Sequence, residues 1–563
     1  VKLLKQEELT ASEISYKVGF SSPSYFNKCF HDQYGYTPGD YKKQNGPGIM
    51  EPGQENNTHI KWYLTKRSIG APLVVVVMLV FIFLIWKNHK SNSAQPQIQN
   101  ASIAVLPLLD LSEKRDKEYL SMGLTDAITL ELSRLKGLRV PSRGSAMLFQ
   151  DSVVLYSEIA KKLDVDLLLE GSIIYGEDSL RVTVQLINPH PEEKHIWANS
   201  YDQSTTDVLR LSGDISRQIA KEIHLAVTGD NTNSTQRYFS AKAQEQYLRG
   251  KMLWQKQNPN SVQMAIEYLK EAIELEPDFA QAYCTLAEAY MSKNKMFPGN
   301  NEEKLKNKME SQIAINYALD KAIELDGSLA EAYITKGMIM RKVNWDWEGM
   351  KEMAEKGLKL NPNNKDGYML LSDYYLMKGN HKKSVQQALI AEKYDPLNPR
   401  IGCLVAERYM FAGKHEQAIQ QYRKVFELHS NYSFAWDGIG FAHFLNGNKE
   451  EAKNSWMEFH KSMGNNHMAE YFSQNNFDNS VSYIVSKFTA GDKLYCSNPP
   501  IIAMANIMID KKEGALKYLD IAMEYRNEDL PVLMLSPVFT PLHSNEHFTM
   551  LANQLNIHIN PNN

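Results

Sequence analysis

Helix-ending residues recur at a nearly constant interval in the second half of the chain, and this recurrence restricts the fold more than any other feature. After Pro277, the series Gly327, Pro362, Pro396 and Ser430 runs at intervals of 35, 34 and 34 residues. Each interval accommodates two helices and a turn, and a unit of this size needs neighbours to bury its apolar face. The sequence therefore predicts a stacked helical solenoid.

The two helices of each interval carry different residues at matched positions. The first helix carries Tyr283, Leu286, Tyr290, Tyr333, Gly337, Tyr368, Leu371, Tyr375, Trp436, Ile439 and Gly440, and the second carries Ala265, Ala272, Ala322, Ala391, Ala418 and Ala452. Small residues let paired helices approach closely, and aromatic residues fill the space between repeats. This pattern is that of tetratricopeptide repeats, predicted over residues 240–460. Such arrays present a concave surface, so we expect a protein or peptide partner in the repeat groove.

Two stretches depart from this period. Residues 291–310 lengthen one repeat, and we predict a loop plus an extra helical turn for them. Beyond Trp456 the pattern weakens, and residues 461–563 are predicted to form a divergent helical repeat and a C-terminal cap.

One apolar run is incompatible with a soluble domain surface. Residues 68–86 contain no charged side chain, and their centre reads PLVVVVMLVFIFLIW. Nineteen helical residues span roughly 28 Å, close to the hydrocarbon thickness of a bilayer. Lysine and arginine residues flank both ends, with Trp62, Tyr63 and Trp86 at the expected interfaces. We predict a single transmembrane helix, with a flexible linker at residues 45–67 and a second linker at 87–100; a buried core segment is the alternative.

The N-terminal residues combine helical periodicity with a sharp turn. Ile14 and Phe30 belong to an apolar set at helical spacing that Gly19 interrupts. The pattern predicts a helix, a turn and a second helix, which in such motifs lies in the DNA major groove. Side chains near the start of that helix reach bases and phosphates. The candidate DNA-binding residues are Ser21, Ser22, Ser24, Tyr25, Asn27 and Lys28.

The string EISYKVGFSSPSYFNKCFHDQYGYTPGDYKK resembles the second helix-turn-helix of the AraC/XylS-type transcription regulators. The matching residues are Gly19, Phe20, Tyr25, Phe26, Phe30, Gly35, Thr37, Pro38 and Tyr41. Regulators of that family carry two such units joined by a long helix. Residues 1–44 therefore look like the C-terminal half of the DNA-binding domain, and the resemblance implies sequence-specific DNA binding. A homodimer would supply paired half-site contacts.

Between the apolar run and the repeats, short apolar stretches alternate with amphipathic helices. SIAVLPLL reads as one buried strand, and GED between LLLEGSIIY and LRVTVQLI is a hairpin signal. Residues 101–228 are predicted to form a small α/β domain. The strings EYLSMGLTDAI, LLLEGSI and IWANSYD resemble TolB-like domains, which implies an envelope-associated assembly or ligand domain. Asp110, Asp126 and Glu170 are candidates for a site; solvated carboxylates at strand ends are the alternative.

Composition and motifs exclude several classes of function. A net charge of −4 confines any DNA contact to a small module. The phosphate-loop, zinc-helix, nucleophile-elbow and kinase signatures are absent from the sequence, so we predict no enzyme, metal or cofactor. Four distant cysteines, Cys29, Cys284, Cys403 and Cys496, read as isolated apolar residues.

Together these features predict a multidomain, mainly α protein. It would comprise a helix-turn-helix fragment, one transmembrane helix, a small α/β domain and an α-solenoid. Because a DNA reader must face the cytosol, we expect a single-pass inner-membrane protein with a cytoplasmic N-terminus and a periplasmic C-terminal region. The predicted function is a membrane-anchored transcription regulator with an extracytoplasmic sensory region. The alternative is an envelope repeat scaffold with a non-functional helix-turn-helix remnant.

Overall fold

The computed structural model describes eight ranges of the chain and six separate N-terminal residues. These are 101–112, 117–150, 154–176, 179–204, 208–222, 239–296, 301–489 and 498–559, with Ile14, Asn27, Phe30, His31, Thr37 and Pro38. The chain divides into two compact units, Val1–Ala94 and Gln95–Asn563. The predicted transmembrane helix at 68–86 and the linkers at 45–67 and 87–100 lie outside the described ranges. Within those ranges, no helix combines the length and apolarity needed to cross a bilayer.

The second unit begins with a mixed β-sheet covered by helices. Its strands are β1 Ala101–Val105, β2 Leu109–Asp110, β3 Leu138–Arg139, β4 Leu167–Tyr175, β5 Ser179–Asn188 and β6 Lys194–Ser204. Their order is β3-β1-β4-β5-β6, with β2 also beside β4. The β3, β1, β2 and β4 pairings are parallel, whereas β4, β5 and β6 form an antiparallel meander. The predicted α/β organisation and the hairpin after Tyr175 are therefore present.

Helices cover both faces of this sheet. They are α1 Glu118–Ser133, α2 Arg143–Met147, α3 Tyr156–Leu163 and α4 Val208–Glu222. In β1, Ile103 packs in the core formed with α1 and α4, while its neighbour Ala104 packs in the core formed with α3. This alternation is what the two-residue period of a strand dictates. The predicted single strand SIAVLPLL is instead two short strands, and Pro107, which lacks a backbone N–H, lies between them.

The remainder of the described chain is a helical array. Its helices are α5 Ala241–Gln255, α6 Pro259–Leu275, α7 Ala280–Met296, α8 Asn301–Leu325, α9 Ala330–Ile339, α10 Trp347–Leu360, α11 Lys365–Met377, α12 His381–Tyr394, α13 Pro399–Phe411, α14 His415–Leu428, α15 Ser433–Leu445, α16 Lys449–Ser462, α17 Asn466–Gln474, α18 Phe477–Thr489, α19 Pro499–Met508, α20 Lys512–Glu524, α21 Leu530–Met534 and α22 Glu546–Gln554. A π-helical turn, Met340–Asn344, extends α9, and a 3₁₀ helix, Pro537–Leu542, precedes α22.

Consecutive helices of the array pack as hairpins, as tetratricopeptide repeats do. The six alanines predicted in the second helices of the repeats are all fully buried. A Cβ added at Gly337 would lie 2.9 Å from the Leu370 side chain and 3.3 Å from the Met350 carbonyl oxygen, so the helices approach too closely for a larger residue. A loop plus an extra helical turn was predicted for residues 291–310. The structure instead places residues from 301 onward in α8, a helix of 25 residues.

The α/β domain is joined to the array by hydrogen bonds far apart in sequence. Asn363, between α10 and α11, accepts from the Val140 amide at 2.9 Å and donates to the Ser133 and Leu138 carbonyls at 2.7 and 2.9 Å. The Ser145 hydroxyl donates to Asp395 at 2.7 Å. Because these polar groups are buried, each bond would leave an unsatisfied group if broken. The domain and array therefore fold against each other.

The C-terminal segment returns to the middle of the array. The Trp347 indole donates to the Leu555 carbonyl at 2.8 Å, in a buried position. The His558 amide donates to the Met377 carbonyl at 2.9 Å. One apolar core continues from α9 to the C-terminal residues. The repeats thus curve far enough for the end of the array to contact its centre.

Candidate ligand groove of the solenoid

A groove runs along the inner side of the repeats. Residues of the first helix of successive repeats, α7, α9, α11, α13 and α15, line one wall, and α19 and α21 line the other. Its volume is about 460 Å³. Because the C-terminal helices occupy the facing wall, the concave surface is a groove with two walls.

Three ionised side chains form the centre of this groove. Asp373 of α11 is bound by Arg408 of α13 and by Arg341 of the π-helical turn after α9. Arg408, whose side chain is 1% exposed, also donates to Ser372 at 3.1 Å and to Glu407 at 2.8 Å. Burial alone would raise the pKa of Asp373, but the two guanidinium groups outweigh it and hold that pKa below its usual value. The cluster is a fixed, charged bridge between three repeats.

Glu407 is the acidic group of this cluster with the least compensation. Burial raises the pKa of its carboxyl above the usual range, against the lowering effect of Arg408. Its side chain retains 28% exposure and lines the groove. A ligand donor entering the groove would therefore meet a carboxyl that has lost part of its hydration.

The carboxylates singled out in the α/β domain are not an exposed site. Asp126 is 9% exposed and contacts the Arg143 guanidinium at 2.7 Å and the Lys251 ammonium at 3.1 Å. Glu170 receives hydrogen bonds from Tyr156 and Gln185, and burial raises its pKa. The interpretation as solvated carboxylates is therefore wrong for Asp126, because α1 packs against α5 of the first repeat.

One of the six predicted DNA-binding residues falls within the described chain. Asn27 is helical and exposed, while Ile14 and Phe30 are buried. The exposure of Asn27 is compatible with its prediction as a DNA-binding residue, and the burial of Ile14 and Phe30 agrees with their apolar pattern. Ser21, Ser22, Ser24, Tyr25 and Lys28 lie outside the described residues.

Sequence reasoning missed the charged residues of the groove. Arg341, Asp373 and Arg408 match no binding motif in the sequence, and only their occurrence at inner positions of three successive repeats could have drawn attention to them. Cys284 is buried and free, as predicted for an isolated apolar residue, whereas Cys403 is half-buried and lines the groove. In the described part of the chain, no group of histidine, cysteine and acidic residues has metal-binding geometry.

Comparisons with known proteins agree with two of the modules. A family profile described as a helix-turn-helix domain matches residues 1–44. The chain is 44% identical over 43 residues to "Histidine kinase P4" of Formosa agariphila, covering 8% of this chain and 3% of that protein. It is 25% identical over 188 residues to "Putative adenylate cyclase 3" of Rhizobium meliloti, covering 33% of this chain and 32% of that protein.

Solved structures of repeat proteins also resemble the chain. YrrB, described as a TPR protein with an unusual peptide-binding site, is 21% identical, covering 37% of this chain and 98% of YrrB, with a TM-score of 0.26. The chain spans about a third of the length of the cyclase-named relative and a small fraction of the kinase. The profile match at residues 1–44 and the observed hairpins describe a helix-turn-helix sequence followed by a mainly helical chain with tetratricopeptide-like repeats.

Proposed function

We propose that this protein is a membrane-anchored, sequence-specific DNA-binding transcription regulator whose α/β and repeat regions lie outside the cytoplasm and bind a partner. The observation that carries the proposal is the match of residues 1–44 to a helix-turn-helix domain. The exposed, helical Asn27 supports it, since an amide in this position can read an adenine edge. Lys28 would contact a guanine or a phosphate.

The α/β domain and the array supply the sensory part of this proposal. We assign them binding and not catalysis, because a curved array of helix pairs offers an inner surface that recognises other molecules. The TolB-like resemblance of residues 101–228 supports a place in the cell envelope. When these regions bind or release their partner, the two copies of residues 1–44 in a homodimer would change position relative to the DNA.

DNA binding is tested by gel shift of the full chain against a pool of duplexes. Asn27→Ala and Lys28→Ala are each expected to weaken the selected complex about five- to a hundredfold, because each removes a base or phosphate contact. Lys136→Ala, which removes one exposed positive charge from the α/β domain, is the matched control and should bind as the unaltered chain does. Selective binding that survives both N-terminal changes would contradict the proposal.

The membrane arrangement is tested by alkaline phosphatase fusions at residue 50 and after residue 563. Because phosphatase is active only outside the cytoplasm, we expect activity from the C-terminal fusion alone. Equal activity at both positions would rule out a single span between them.

An envelope scaffold is the rival function, and the joined α/β domain and array favour it as much as they favour a sensor. In that case the repeats bind their partner and residues 1–44 are idle. Absence of any sequence-selective DNA complex, with both fusions as expected, would select the scaffold.

A further inference from the structure

A second cavity opens next to the groove, between α15, α16, α18 and α19. Its volume is about 430 Å³, within the range of roughly 300–1,000 Å³ that small-molecule sites occupy. Phe441, Trp456 and Phe459 form its aromatic wall, and Ile484 and Ile502 lie opposite. Its dimensions and its apolar walls are those of a site for one small organic molecule.

The mouth of this cavity exposes apolar side chains. Phe434 and Met463, which both line it, are 67% and 60% exposed. Exposure of large apolar side chains to water is unfavourable, and here the two side chains are contiguous with the apolar lining of the cavity. A ligand with an apolar body would cover both surfaces at once.

The cavity carries one acidic group. Asp437 of α15 lies beside Trp456, whose indole donates to the Asp437 carbonyl at 3.3 Å. No lysine or arginine is found among the described residues that line the cavity. Burial raises the pKa of Asp437 to about 6, so the carboxylate is charged at neutral pH without a cationic partner.

The other titratable group of the cavity does not compensate this charge. His460 lies between the Phe459 and Phe472 rings, at centroid distances of 5.2 and 5.3 Å. Burial lowers its pKa to about 4, so the imidazole is neutral at physiological pH. Arg408 of the neighbouring groove is already bound by Asp373, Glu407 and Ser372. The lining therefore bears a net negative charge.

We propose that this cavity binds a small organic ammonium ion with an apolar body, held by the Asp437 carboxylate and the aromatic wall. A partly buried carboxylate without a cationic partner is stabilised most by a cation that brings its own apolar surface. The indole and phenyl rings add attraction for an ammonium group. The inference is independent of DNA binding by residues 1–44.

The test uses three ligands with one apolar body and different head groups. Calorimetric titration of the full chain with 4-phenylbutylamine, 4-phenylbutanol and 4-phenylbutyrate is expected to rank the amine first. The alcohol should bind about tenfold or more weakly, and the carboxylate more weakly still, because only the amine pairs with Asp437. Equal binding of all three, or no heat from the amine at its solubility limit, would overturn the proposal.

Two variants distinguish the contribution of the Asp437 charge to ligand binding from that of the apolar cavity. Asp437→Asn should reduce amine affinity to that of the alcohol and leave alcohol binding unchanged, which also shows that the cavity remains folded. Glu458→Gln removes a carboxylate from the outer side of α16, where it pairs with Lys461 at 2.6 Å, and should alter neither. Unchanged amine affinity in Asp437→Asn would exclude the role of this carboxylate. Tighter binding of a lysine-containing peptide than of the amine would likewise refute a small-molecule ligand.

Discussion

Asp373→Asn is expected to lower the free energy of unfolding of the array by about 3–5 kcal/mol, because the substitution removes the carboxylate that Arg341 and Arg408 share and leaves Glu407 as the one acidic group bonded to Arg408. The side chains of these arginines are 17% and 1% exposed, so water cannot replace the lost carboxylate. Denaturant unfolding followed by circular dichroism measures the change. Asp478→Asn removes a carboxylate that is 62% exposed and pairs with Lys449, and it should cost less than about 1 kcal/mol.

A compensated variant distinguishes loss of charge balance from loss of packing. Replacing Asp373 by Leu and Glu407 by Gln, together with Arg341→Met and Arg408→Met, removes the four charges of the cluster and keeps its volume. Buried ion clusters can often be exchanged in this way without loss of stability, so most of the deficit should be recovered. If this combined variant is as unstable as Asp373→Asn, uncompensated charge is not the cause.

Asp126→Asn is expected to destabilise the joint between the α/β domain and the first repeat by a similar amount, about 3–5 kcal/mol. Its carboxylate neutralises Arg143 and Lys251, and with Tyr247 it raises the pKa of Lys251 although burial opposes the charged amine. Hydrogen exchange is the sharper measurement. The Val140 and Ser142 amides, which donate to Asn363 and to the Tyr394 carbonyl, should exchange faster in the variant.

A matched carboxylate in the same domain provides the control. Asp164 pairs with Arg139 at 3.3 Å, but its side chain is 82% exposed. Asp164→Asn should therefore change stability by less than about 1 kcal/mol and leave the two amides protected. Fast exchange in both variants would mean that the joint does not depend on Asp126.

Local patterns predicted much of the fold. Strand Leu167–Tyr175 has the bounds of the predicted string LLLEGSIIY, because apolar spacing and the turn residues after it act over short distances. The alanines of the second helices were assigned correctly for the same reason. The period of the repeats can likewise be recognised within single repeats, and it applies to the whole array.

Contacts between segments far apart in the chain could not be predicted from local sequence patterns. Asn363 lies in the string NPNN, which has the composition of an ordinary turn, yet it bonds to residues more than 200 positions earlier. The sequence leaves Asp126 open between a site residue and a solvated carboxylate, because its partner Lys251 belongs to another module. The groove and the Asp437 cavity arise from the curvature of the array, and curvature depends on small packing angles that no single repeat specifies.

The bond between the Trp347 indole and the Leu555 carbonyl changes how such an array should come apart. A row of repeats with a free terminus loses its last units first and frays inward. Here the segment at Leu555 is bonded to α10, in the middle of the array. The repeats after Trp347 are therefore expected to unfold together. Thermal or denaturant unfolding of the residues from Trp347 onward should therefore be one cooperative transition, in which α10 and the segment at Leu555 separate at the same step.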